Sequence, residues 1–176
     1  MSSDRQTKIQ KLSRLNRRRA ATKQFIDTLT QAQGRRVEAS DIISAEESDD
    51  LLETFQLGYR LALSKDAISY RKFFSQEMRR QVFELTTCLA QGMSDETAYF
   101  LTRLGGDAGA VKVNMSALLS HSEAVIYFDG DSISAISFDG SQGLLIDHNS
   151  DDLIQTYEVT VWGDRWPLLT LSCEFK

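Results

Sequence analysis

At 176 residues, with 41% hydrophobic content, nine Phe, five Tyr and two Trp, the chain can bury a sizeable core and falls outside the disordered class. Its net charge of −5 hides a sorted distribution: residues 1–36 hold ten Lys/Arg against Asp4 and Asp27, net +8, and the other 140 hold ten against 23 acidic residues, net −13. That polarity points to interaction surfaces, while GxSxG and P-loop signatures and any apolar run of the roughly 20 residues that span a bilayer are absent.

Residues 5 to 33 contain no Gly or Pro, and Ile9, Leu12, Leu15, Phe25, Ile26 and Leu29 recur at helical spacing, which predicts a basic amphipathic helix ending near Gly34. Ser44 and Glu47 stand in capping-box spacing ahead of Leu51, Leu52, Phe55, Tyr59 and Ala62, so a second helix is expected to run to about Ser64. Ile68 to Gln91 reads as helical, with a broken turn near Ser75 and Gly92 closing it. Thr97 to Leu104 and Ala110 to Met115, joined through Gly105, Gly106 and Gly109, read as a β-hairpin, and Ser116 to His121 as a short helical turn. From there a meander of strands is expected at 124–129, 132–138, 143–147, 155–162 and 168–175. The predicted class is α+β, with N-terminal helices packed on a mostly antiparallel C-terminal sheet of five to seven strands. Residues 1–36 form a basic helical segment and 37–176 one domain, with helices over about 46–91 and the sheet over about 97–176.

Cys88 and Cys173 carry no CxxC or Cys/His spacing and are read as reduced, mostly buried thiols in a cytoplasmic protein. Asp129-Gly130-Asp131 resembles the opening of an EF-hand loop but lacks the later glycine and acidic ligands, so neither metal nor other cofactor is expected. His121 and His148 read as solvated loop residues, and an enzyme using His148 with nearby aspartates ranks last of the readings.

Two interaction surfaces remain. Residues 105–176 carry eleven Asp/Glu against Lys112, Arg165 and Lys176, net −8. Asp129, Asp131, Asp139, Asp147, Asp151, Asp152 and Asp164 cluster at strand ends, where they would form an acidic rim able to select a basic protein partner. Trp162-Gly163-Asp164-Arg165-Trp166-Pro167 reads as a turn whose Arg165 and Trp166 are residue types common in binding hot spots. The alternative surface is the basic helix, where Arg14, Arg17, Arg18, Arg19 and Lys23 suit phosphate contacts with nucleic acid.

The order of an Asp-bearing strand, then Gly143-Leu144-Leu145-Ile146-Asp147, then Tyr157 through Trp166 resembles the small bacterial proteins of the YxiF-like kind. That resemblance implies toxin immunity: a non-catalytic inhibitor that binds the toxic domain of a contact-dependent or Rhs-type toxin made by the same cell.

Overall fold

The computed structural model describes Ile26, Asp27, Thr30 and residues 38–64, 68–102, 110–149 and 155–174. Most of the expected basic helix, Arg14, Arg17, Arg18, Arg19 and Lys23 included, lies outside the described residues. Ile26, Asp27 and Thr30 are helical, and Ile26 packs half-buried against the main core.

The α+β class holds. Six strands, β1 (Ser69–Ser75), β2 (Thr97–Phe100), β3 (Val111–Asn114), β4 (Ser132–Ser137), β5 (Gly143–Asn149) and β6 (Thr156–Trp162), form one sheet in the order β1-β6-β5-β4-β2-β3. Every pairing is antiparallel. One line of register partners crosses all six strands as Val111, Phe100, Ala135, Leu144, Val161 and Tyr70, each of them buried. Strand alternation sends these side chains to one face, where they meet Val82, Leu85 and Leu89 of helix α2 (Arg79–Gly92). Two short helices, α3 (Met115–Ser120) and α4 (Ser122–Phe128), and the last helix, α5 (Trp166–Glu174), complete that layer. The other face is covered by α1 (Ala45–Ala62), which lies on β4, β5 and β6. No helix among the described residues is long and apolar enough to cross a membrane.

Helix α1 begins as its sequence dictates. The Ser44 side chain accepts from the Glu47 amide, and the Glu47 carboxylate accepts from the Ser44 amide, so two of the orphan donors at the helix start are satisfied reciprocally. Its inward face carries Phe55 and Ala62, and a second, smaller core forms where these meet Ile136, Leu101 and Trp162. The Trp162 indole lies between the helix and the neighbouring strand, and it fits because glycine occupies both flanks. A Cβ on Gly58 or on Gly143 would overlap the ring. Phe55 and Tyr59 add edge-on ring contacts, with centroids 5.0 and 6.3 Å from that of Trp162.

Three expected elements change type. The segment expected to open a helix at Ile68 is strand β1, because pairing along β6 satisfies its backbone and buries Tyr70 and Phe74. These stand four apart with Lys72 between them on the same face, so a period of two looks like one helical turn. The stretch 124–129 is mostly helix α4, with Val125 and Ile126 both buried. The expected strand 168–175 is mostly helix α5. Trp166, Thr170 and Cys173 share its inward stripe, Pro167 sits in the first turn where its missing N–H is not needed, and the Gln142 side-chain oxygen accepts from the amides of Arg165 and Trp166. Finally, Cys88 and Cys173 are not free thiols. They form a disulfide between α2 and α5 with Cα atoms 5.8 Å apart, inside the usual range.

Gly58→Ala should lower the thermal midpoint by several degrees, a loss on the order of 1 to 3 kcal/mol for forcing a methyl into a filled site. Gly92→Ala, whose Cβ would meet only the Leu169 side chain, no closer than an ordinary 3.5 Å, serves as the control in the same thermal melts. It should stay within about 1 kcal/mol of wild type.

Candidate partner-binding surface

The predicted aspartates do not gather on one rim. Antiparallel strands send successive loops to opposite ends of a sheet, and the register partners Ser132 with Asp147 and Ile136 with Gly143 show where each end lies. Asp129, Asp131 and Asp147 stand at the end where β4 begins. Asp139, in the β4–β5 turn, and Asp164, after β6, stand at the other. Asp151 and Asp152 lie outside the described residues.

Nor are all of them available to a partner. Asp129, at the C-terminus of α4, is 1% exposed, and Trp166 is fully enclosed in the main core, so neither can anchor a docked protein. The turn expected over 162–167 ends at Arg165, and the Trp166 indole faces inward from the first residue of α5. Arg165 is exposed yet engaged by an ion pair with Glu96. Asp131 takes a left-handed backbone, φ 75°, and its Oδ1 lies 3.4 Å from Nδ1 of His148. His148 is buried rather than solvated, its ring stacked on Tyr157 with centroids 4.4 Å apart. Its Nε2 is sealed and has no hydrogen-bond partner among the described residues, so this histidine cannot meet a dissolved substrate in the described conformation.

The end that holds Asp139 and Asp164 forms the more continuous acidic surface. Asp139 Oδ1 accepts from Ser137 Oγ at 2.6 Å, Ser141 Oγ at 2.8 Å and Ser141 N at 3.1 Å. The Ser137 hydroxyl first, then the Ser141 amide and hydroxyl, bring its pKa down to about 2, so the turn carries a fixed negative charge. Gly140, at φ +74°, rests against Thr54 Cγ2 of α1, and Gly163, at φ +104°, packs on Ser141 and Gln142, so the helix, the turn and the Asp164 bend adjoin. Asp49, Asp50 and Glu53 of α1 are exposed beside them. Of the nearby cations, Arg165 pairs with Glu96 and Lys112 lies over the Phe138 ring at 5.0 Å, while Arg60 near the end of α1 is exposed.

The acidic end continues along the outer side of α1. Asp50, Glu53, Leu57 and Leu61 follow one another at spacings of three, four and four, so they form one outward stripe on α1. Leu57 is 58% exposed and Leu61 56%. Two leucines out of phase with Phe55, Tyr59 and Ala62 were the available signal. The helix is held in this rotation by Tyr59, whose hydroxyl donates to Glu158 Oε1 at 3.1 Å. The same carboxylate oxygen accepts from Arg71 Nε at 2.9 Å and Thr160 Oγ1 at 2.7 Å. Burial raises the Glu158 pKa, but the donors from Arg71, Thr160 and Tyr59 outweigh it and leave the group lowered and ionised.

Among the described residues no cluster of His, Cys, Asp and Glu is arranged to hold a metal ion. A cleft of about 1050 Å³ opens between β1, α2 and α5, where Lys72, Arg79 and Arg80 pair with Glu174, Glu123 and Glu84 respectively. The three pairs balance, so the cleft lacks the cationic excess of a phosphate site. No protein family matches the chain, and no curated protein or solved structure is significantly similar to it.

The Asp139 turn yields a pH test. Its folded pKa is depressed, so its stabilisation is present above the unfolded value of about 4 and is lost as pH falls toward about 2. Asp139→Asn should therefore be less stable than wild type at pH 6, with the gap in urea midpoint closing between about pH 4 and pH 2.

Proposed function

We propose that this protein is a non-catalytic inhibitor of the immunity type, which neutralises a basic toxin domain in the cytoplasm by covering it. The observation that carries this reading is the outward stripe of α1, in which Asp50 and Glu53 run into exposed Leu57 and Leu61 beside the acidic Asp139 turn and Asp164. Exposed apolar side chains adjoining fixed negative charge suit a partner whose face is basic at one end and apolar at the other. Charge would steer the encounter, and leucine burial would slow dissociation. The body's net charge of −13 over residues 37–176 supports the same partner chemistry, since toxins that cut nucleic acid have cationic substrate clefts. The resemblance of the β5–β6 segment to YxiF-like proteins points the same way.

A second reading rests on the net +8 of residues 1–36. With Arg14, Arg17, Arg18, Arg19 and Lys23 it would hold nucleic-acid phosphates, with affinity falling steeply as salt rises.

Co-expression with a basic toxin domain encoded beside this gene should give a stable complex and protect growth. Asp50→Lys with Glu53→Lys, and separately Leu57→Asp, should abolish both at an unchanged thermal midpoint, while Glu77→Lys at the opposite end of the sheet should abolish neither. Full protection by the α1 variants would overturn the assignment of this surface. A salt-sensitive mobility shift of nucleic acid that disappears when residues 1–36 are removed would favour the second reading.

A further inference from the structure

The Cys88–Cys173 bridge occupies an unusual place for a structural disulfide. Both cysteines are half-buried, and both line the cleft between β1, α2 and α5. A small thiol entering that cleft therefore meets the sulfurs without prior unfolding. The bridge spans 85 positions and ties α5 to α2, and α5 is unevenly anchored. Its first residues, Trp166 and Pro167, and Thr170 one turn on, are buried, whereas Leu168 and Leu171 are exposed. Two tethers hold its last turn: the bridge, and Glu174, whose Oε1 accepts from Tyr70 OH at 2.8 Å and Lys72 Nζ at 2.6 Å. Both belong to the wall of the cleft.

We infer that Cys88–Cys173 is a redox-operated latch, a thiol-exchange site served by the cleft, whose opening frees the last turn of α5 and leaves the sheet intact. A thiolate attacks one sulfur, forms a mixed disulfide and releases the other cysteine as thiolate. A second thiol then attacks the mixed disulfide. Two electrons pass to the protein, each cysteine takes up a proton, and the reductant leaves as its own disulfide. The ligand class is a small aliphatic thiol, the product of any reaction that maintains a reducing thiol pool. The cysteines read from sequence as reduced and the disulfide in the structure are then two states of one device.

The full-length protein, oxidised in air, would be treated with dithiothreitol without denaturant, then alkylated and weighed, with hydrogen exchange followed by peptide. Both cysteines should alkylate while β5 and β6 keep their protection, and exchange in residues 171–174 should rise at least tenfold. A Cys88→Ser/Cys173→Ser variant should show that faster exchange without reductant and no further change with it. The inference fails if the air-oxidised protein carries two free thiols, if the cysteines alkylate only once the sheet has lost protection, or if reduction leaves residues 171–174 as protected as before.

Discussion

The Trp162 indole, seated against Gly58 of α1 and Gly143 of β5, is the contact on which the outer half of the molecule depends. Main-chain pairing assembles the sheet regardless, and the large core on the α2 side would close without it. What Trp162 decides is how α1 lies. A flat ring between two residues without side chains brings helix and strand unusually close, and Phe55 and Tyr59 pack edge-on around it. Tyr59 then reaches Glu158, and that hydrogen bond sets the rotation of the helix about its axis. Turned by a single residue, roughly 100°, α1 would carry Leu57 and Leu61 out of their present outward position.

The same geometry explains why negative charge concentrates where it does. Asp139 is committed to its turn through Ser137 and Ser141, which fixes its ionised form, and α1 brings Asp50 and Glu53 alongside. At the opposite end the carboxylates serve the interior: Asp129 is buried, and Asp131 holds an uncommon backbone conformation next to His148. An acidic composition thus separates into a structural set and a presented set.

Much of the fold was legible from short apolar stretches set between Gly, Asp and Ser. Tyr157, Val159 and Val161 alternate cleanly and announce β6, whereas β4 and β5 show as apolar stretches at 132–138 and 143–147. The α1 capping box was equally plain. β1 was obscured by Lys72, an inward-facing position whose ammonium reaches out to Glu174, and α5 by Leu169, Leu171 and Cys173, whose alternation imitates a strand although Trp166 and Thr170 define the buried side. The disulfide had no local signal, since a separation of 85 residues says nothing about proximity. For the candidate surface, Asp139 and Asp164 were found by charge alone. The α1 stripe is hard to read from sequence because Leu57 and Leu61 lie out of phase with Phe55, Tyr59 and Ala62, and nothing local marks them as more than scattered surface leucines.

The order of strands carries a consequence for how the chain assembles. β4, β5 and β6 are joined by short links and can pair as soon as they are made, but the outer side of β6 is completed by β1, which lies far earlier in the chain. Closing that long loop costs entropy that local hairpins avoid, so the β1–β6 pairing is the one whose delay would leave a bare β6 margin. Such a margin is a template for a second chain, and slow arrival of β1 would favour aggregation at high expression levels.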